Sequence, residues 1–174
     1  MTEFLSEDNL KLHKDYLRKQ KLKYSIIETS SPGLKGAGIR DVLRMKINSQ
    51  DKRDALDLLP DILLHEIYFS SFSQLRFPRS DVVSLTFGSE AAMLNELFRL
   101  CVSMRYGFAV AYSIGNKVRL LGIENMKDII RYGEPCLAVD VSEHAYFMDY
   151  GFDKERYLTN MLPYLDLTKL TFTE

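Results

Sequence analysis

The feature that most constrains this fold is a change in hydrophobic pattern near the middle of the chain. Before residue 77, apolar residues recur at the three- and four-residue spacing of amphipathic helices. Pro78 disfavours helix in the residue before it, and beyond it two apolar runs, 108–112 and 118–123, flank the turn pair Gly115-Asn116. Such a pair of runs is typical of a β-hairpin. A chain that changes from helical to strand periodicity in this way is expected to be an α+β protein.

The N-terminal half is predicted to form two facing helices. The first, over about residues 6–24, carries His13 on its apolar face, and a loop rich in glycine follows between residues 30 and 38. Pro60 is well placed to open a second helix at its first turn, and that helix carries His65. We therefore predict an N-terminal α-helical hairpin domain over residues 1–76.

The C-terminal half is predicted to combine one small sheet with helices. A periodic run after Gly88 indicates an amphipathic helix, and residues 136–141 add a third strand to the hairpin. The aromatic C-terminal segment is apolar enough to pack as helices against this sheet. We predict a second domain over residues 77–174, with a three-stranded antiparallel sheet and helices.

Composition argues against several classes of partner. The formal net charge of -1 gives no general attraction to nucleic acid or to an anionic membrane. No apolar run reaches the roughly 18 residues of a membrane span, and the acidic N-terminus does not resemble a signal peptide. Two cysteines, Cys101 and Cys136, are too few for a disulfide framework. We expect a cytoplasmic protein with neither nucleic-acid nor membrane partners.

The chain has three histidines, and all of them are candidate metal ligands: His13, His65 and His144. Asp140 lies four residues before His144, so the two side chains can converge on one ion. Three imidazoles and one carboxylate suit iron, manganese or zinc. The alternative is that each histidine is an ordinary core or surface residue and that Asp140 caps a strand end. The residues alone leave both interpretations open.

The segment 140–150 resembles the signature of the iron/manganese superoxide dismutases, which reads Asp-x-Trp-Glu-His-Ala-Tyr-Tyr. The segments 5–13 and 64–69 resemble the two ligand helices of that family. Further landmarks, in the family's order, are Phe87-Gly88-Ser89 and Gly107-Phe108-Ala109. The resemblance implies that one iron or manganese ion is bound by His13, His65, Asp140 and His144. It also implies an enzyme that converts superoxide to oxygen and hydrogen peroxide.

Several residues around the implied metal depart from the family pattern. Lys21 stands where the family has a gateway tyrosine, and Leu17 replaces a nearby histidine. Ser142 replaces the tryptophan of the signature, and Asp61 and Met126 stand where the family supplies a glutamine. The chain has no tryptophan, so an aromatic wall around the metal would consist of Phe69, Phe108 and Phe147.

Three residues are candidates for proton delivery in such an enzyme: Asp61, Tyr68 and Lys21. Asp61 lies one helical turn before His65, from where it would reach toward Tyr68 and the bound solvent; alternatively, it only stabilises the first turn of a helix. Tyr68 resembles the residue of iron-type members, which favours iron over manganese. The lysines and arginine between residues 11 and 23 would steer superoxide electrostatically, or simply form a solvated helix face.

The resemblance also implies a homodimer. Glu143 matches the signature glutamate that contacts the partner's ligand histidine, so the interface would lie in the region of Glu143 and His144. Two other functions fit the same fold: a metal-binding homologue with a different redox or sensor role, and a non-catalytic structural module. The complete ligand set argues against the second of these.

Overall fold

The computed structural model describes residues 4–45, 50–73, 80–129 and 131–172, without the side chains of residues 51 and 52. The predicted α+β architecture is confirmed: a helical N-terminal region precedes a three-stranded antiparallel sheet that is packed with helices. The helices are α1 Glu7–Ser30, α2 Ile39–Arg44, α3 Gln50–Ser70, α4 Asp81–Phe87, α5 Glu90–Ser103, α6 Glu143–Tyr150 and α7 Lys154–Met161. The strands are β1 Phe108–Ile114, β2 Lys117–Ile123 and β3 Glu134–Asp140.

Helix α1 begins where the sequence predicts and continues one and a half turns beyond the predicted end. The Ser6 side chain caps it by accepting a hydrogen bond from the amide of Asn9, and Glu7 and Asp8 lie in its first turn. The helix buries His13 and Tyr24, and it ends at Ser30, before the turns that lead to α2. The predicted bend between residues 30 and 38 therefore has the expected extent, because α2 begins at Ile39.

Helix α3 corrects the prediction that Pro60 opens a helix. The helix starts at Gln50, and Pro60 lies in its middle. Proline there removes one backbone hydrogen bond and crowds the preceding turn. Fully buried residues on both sides of it, Leu59 and Ile62, hold the two halves of the helix against the same core, so burial outweighs this cost. The idea that Asp61 stabilises a first turn is therefore wrong, because Asp61 lies in the helix interior.

The sheet has the order β2-β1-β3, with both pairs antiparallel. The two-residue turn between β1 and β2 is the predicted Gly115-Asn116 pair, and Gly115 supplies the positive φ of 58° that the turn requires. In β1 and β3, Phe108 pairs with Asp140. This register places the start of β1 beside the end of β3, which is where the candidate site lies.

The central strand β1 separates two hydrophobic cores because successive side chains point to opposite faces. Ala109 and Ala111 belong to the core formed with α5 and α7. Phe108, Val110 and Tyr112 belong to the core formed with α3. The predicted division of the chain at residues 76 and 77 lies outside the described residues and stays a prediction.

Candidate metal centre

Four elements bring the predicted ligands to one point. His13 comes from α1, His65 from α3, Asp140 from the last position of β3, and His144 from the first turn of α6. One ligand atom of each residue lies within 4.8 Å of those of the other three. His13, His65 and Asp140 are buried, whereas the side chain of His144 is 47% exposed. The cluster is therefore shielded from solvent at three of its four residues and accessible to solvent at His144.

The carboxylate of Asp140 is the centre of this cluster. Its Oδ2 atom lies 3.4 Å from His13 Nε2, 3.7 Å from His65 Nε2 and 3.0 Å from His144 Nε2. Burial opposes its ionisation, but the neighbouring His13 and His144 prevail and hold the pKa of Asp140 well below its ordinary value. The site therefore contains one carboxylate anion surrounded by three imidazole nitrogens.

The donor atoms of the cluster fit a metal ion. Within the described part of the chain, His13 Nε2, His65 Nε2 and Asp140 Oδ2 are buried and have no hydrogen-bond partner. Each buried polar atom without a hydrogen bond lowers the stability of a folded protein by about 1–3 kcal/mol. Burial lowers the pKa of His13, which favours the neutral imidazole that metals bind. A cation bound by the two nitrogens and the carboxylate oxygen would give all three atoms a partner at once.

Local hydrogen bonds fix the backbone and the second oxygen of Asp140. The amide of Ser142 donates to Asp140 Oδ1 at 2.8 Å, and the hydroxyl of Tyr157 donates to the Asp140 carbonyl at 3.2 Å. The hydroxyl of Tyr68 lies 3.2 Å from that of Tyr157. Ser142 also accepts a hydrogen bond from the amide of Gly107 at 3.0 Å. The residue that replaces the signature tryptophan thus ties the ligand segment to the start of the sheet.

His65 is oriented from its own helix. Its Nδ1 atom donates to the Asp61 carbonyl at 2.8 Å and lies 3.2 Å from Asp61 Oδ1. The proton is therefore on Nδ1, and Nε2 is left free to face Asp140. Burial lowers the pKa of His65, but the Asp61 contacts outweigh burial and raise it overall.

Tyr16 is a site residue that the sequence analysis missed. Its hydroxyl donates to Asp61 Oδ2 at 2.9 Å, and its ring centroid lies 5.2 Å from that of His65 and 5.7 Å from that of His144. Burial and the neighbouring Asp61 raise the pKa of Tyr16 to about 12. The signal was present in the sequence, because Tyr16 is three residues after His13 and shares its helix face.

The other predicted site residues have different surroundings. Lys21 forms an ion pair with Glu66 at 2.6 Å, and both side chains are partly exposed. Tyr68 is buried, and its ring lies 5.1 Å from His13. Asp61 reaches Tyr16 and His65, while the Tyr68 hydroxyl pairs with Tyr157.

Two of the three aromatic residues named from the sequence line the cluster. The Phe69 ring lies 5.0 Å from His13, and the Phe108 ring lies 5.1 Å from His65. Phe147 is 46% exposed and packs edge-on against Phe152. The wall is thus built on the side of α3 and β1.

The fold and the cluster define a mononuclear metalloprotein. The model of the iron/manganese superoxide dismutase C-terminal domain matches residues 79–171, just over half of the chain. This chain belongs to the iron/manganese superoxide dismutase family. A search of functionally curated proteins gave no match to it. No helix among the described residues is long and apolar enough to cross a membrane.

Proposed function

We propose that this protein is a superoxide dismutase that converts superoxide to oxygen and hydrogen peroxide. The observation that carries the proposal is the convergence of three imidazoles and one buried carboxylate in a chain of this family. Iron or manganese, when bound, supplies the reversible one-electron chemistry that the reaction needs. His13, His65, Asp140 and His144 would hold the ion.

The surrounding residues have proposed roles in orientation and proton supply. Asp61 orients His65 and carries a carboxylate beside the ligands. Tyr68 supports Asp140 through Tyr157, and its burial keeps water away from that side. Lys21 adds a cation, partly offset by Glu66, on a helix rich in basic residues, which favours the approach of an anion.

Two finer points belong to this proposal. We propose iron rather than manganese, on the resemblance of Tyr68 to iron-type members. We also propose a cytoplasmic location, which two cysteines without a disulfide support.

A homodimer is the proposed assembly. The ligand His144 and its neighbour Glu143 are exposed in the single chain. Phe147, Met148 and Phe152 are also exposed, by 46%, 56% and 82%. An apolar surface beside a half-open site suits a second copy that closes it. Sedimentation of the purified protein at two times the mass of one chain would support this assembly, and a monomer at micromolar concentration would contradict it.

The test of function is the decay of superoxide, followed by stopped-flow absorbance, with protein loaded with iron and, separately, with manganese. We expect the iron-loaded form to accelerate the decay more than the manganese-loaded form. His65→Ala and Asp140→Ala should lower that rate at least about tenfold, because replacing residues that only orient metal ligands already costs roughly 10–100-fold in affinity or activity. Asp15→Ala, an exposed substitution on α1, is the control and should keep the rate.

The altered surroundings of the ligands favour one competing function, a redox or sensor protein that keeps the metal. Lys21, Ser142 and Asp61 replace groups that the family uses around the ion. Bound iron or manganese in a protein that does not accelerate superoxide decay would support this alternative and contradict the dismutase.

A further inference from the structure

Tyr16 borders the open side of the cluster. The exposed ligand is His144, and the Tyr16 ring lies beside it and beside His65, while Tyr16 itself is 38% exposed. Tyr16 is therefore in contact with two ligands and with solvent. Neither its position in the sequence nor the family resemblance assigns it a role.

The hydroxyl of Tyr16 belongs to a chain of polar contacts that ends at a ligand. That hydroxyl donates to one oxygen of Asp61 at 2.9 Å, and the other oxygen of Asp61 lies 3.2 Å from His65 Nδ1. One carboxylate thus connects a residue of α1 to a ligand of α3.

The direction of this effect follows from charge. A hydrogen bond donated to a carboxylate spreads part of its negative charge onto the donor, so the carboxylate attracts other protons less strongly. His65 Nδ1 donates to the Asp61 carbonyl at 2.8 Å, and the Asp61 carboxylate lies beside the same proton at 3.2 Å. With Tyr16 in place, that carboxylate attracts the Nδ1 proton less strongly. His65 then donates less electron density through Nε2 than it would without the tyrosine.

Lys21 does not duplicate this contact. Its ammonium group pairs with Glu66, which follows His65 in α3, so its described partner lies outside the Tyr16–Asp61 chain. The contact that reaches His65 from α1 through Asp61 is the one made by Tyr16.

We propose that Tyr16 is a positioning residue that acts through Asp61 on His65 and raises the reduction potential of the bound metal. The proposal rests on the metal site proposed above, but it does not depend on dismutase activity. A purely structural tyrosine would join α1 to α3 and leave the potential unchanged. The two roles therefore differ in a quantity that can be measured without superoxide.

The experiment is a redox titration of the iron-loaded or manganese-loaded protein, followed by the absorbance of the metal. In Tyr16→Phe we expect the ratio of oxidised to reduced metal at a fixed potential to rise about tenfold, which equals about 59 mV for one electron. The control is Tyr132→Phe, which removes a hydroxyl of similar exposure near Tyr112, at the far end of β1 from Phe108. It should leave the ratio unchanged.

A double-mutant cycle with Asp61→Asn tests the route. That variant removes the carboxylate charge, so its own potential should rise, and adding Tyr16→Phe to it should change the ratio less than twofold. A tenfold change in both backgrounds would overturn the route through Asp61. A Tyr16→Phe titration that matches Tyr132→Phe would overturn the role of Tyr16.

The outcomes also separate this inference from the dismutase proposal. A shifted potential in a protein without activity supports the role of Tyr16 and contradicts the dismutase. An active enzyme whose potential is unaffected by Tyr16→Phe does the reverse. Folded protein that takes up neither metal overturns both.

Discussion

The two pairs of ligands are held in different ways. Asp140 and His144 come from one short segment, where β3 ends and α6 begins, and the Ser142 amide between them bonds the Asp140 carboxylate. His13 and His65 come from two long helices, and their approach depends on how α1 packs against α3. The family match covers the first pair and not the second.

This difference indicates which parts of a metal site can be recognised in a sequence. The strand-to-helix segment fixes its two ligands through local bonds, so its ligands lie in one short sequence pattern. The helical pair needs only the right faces in contact, and the polar residues between the helices can be exchanged. Tyr16 and Asp61 form such a pair between α1 and α3.

The largest expected effect comes from the residue where the two pairs meet. Phe108 is fully buried, pairs with Asp140 in the sheet and packs against the His65 ring. Phe108→Ala should lower the free energy of unfolding by about 3–5 kcal/mol, because it opens a cavity between the sheet and α3. Urea denaturation measures this. Phe172→Ala, at a residue that is 51% exposed, is the matched control, and equal losses in the two variants would contradict the prediction.

The next largest effect is a loss of stability near Asp140 and His144, the ligand pair of the strand-to-helix segment. Tyr157→Phe removes the hydroxyl that bonds the Asp140 carbonyl and leaves the Tyr68 hydroxyl without its partner. We expect a loss of about 1–3 kcal/mol in the free energy of unfolding, since both groups are buried. Tyr68→Phe breaks one of these two contacts and should cost less. Urea denaturation measures both losses. A larger loss in Tyr68→Phe than in Tyr157→Phe would show that the hydrogen bond to the Asp140 carbonyl contributes little to stability.

Much of the fold and the ligand set could be predicted from the sequence. The sheet was recognisable from local signals, the Gly115-Asn116 turn and the apolar runs around it. The start of α3 was not, because tertiary burial of Leu59 and Ile62 overrides the local preference of Pro60. The spacing of Tyr16 from His13 indicates a shared helix face, but no local pattern encodes the contact of Tyr16 with Asp61 in another helix.

A smaller effect is expected at Ser142. Ser142→Ala keeps the amide that bonds Asp140 but leaves the Gly107 amide without its acceptor. The free energy of unfolding should fall by about 1 kcal/mol, and metal affinity should change little. Ser25→Ala removes a hydroxyl that bonds its own exposed helix and serves as the control. A large loss of metal in Ser142→Ala would mean that the hydroxyl, and not the amide, holds the ligand segment.

The smallest expected effect is a pH-dependent change in stability at Asp149, which connects α6 to the start of α1 at the surface. Asp149 Oδ2 accepts hydrogen bonds from the Ser6 amide and the Asn9 side chain at the start of α1. Burial opposes the charged form, but these bonds lower the pKa of Asp149 below its ordinary 3.8. Its contribution is therefore complete above that value and is lost as the pH falls through the folded-state pKa.

Asp149→Asn should accordingly destabilise the protein by less than about 1 kcal/mol at pH 7. The difference from the parent should shrink as the pH falls toward 3. Thermal unfolding of both proteins across that range measures it. A difference that grows as the pH falls would contradict the assigned direction.

The most direct test of the account is elemental analysis of the purified protein, alongside His13→Ala and Asp140→Ala, one from each ligand pair. We predict one iron or manganese ion per chain in the parent. Both variants, still folded by circular dichroism, should hold less than about a tenth of that amount. A folded parent that holds neither metal after reconstitution, or variants that retain the full amount, would contradict the central claim that these four residues form one metal site.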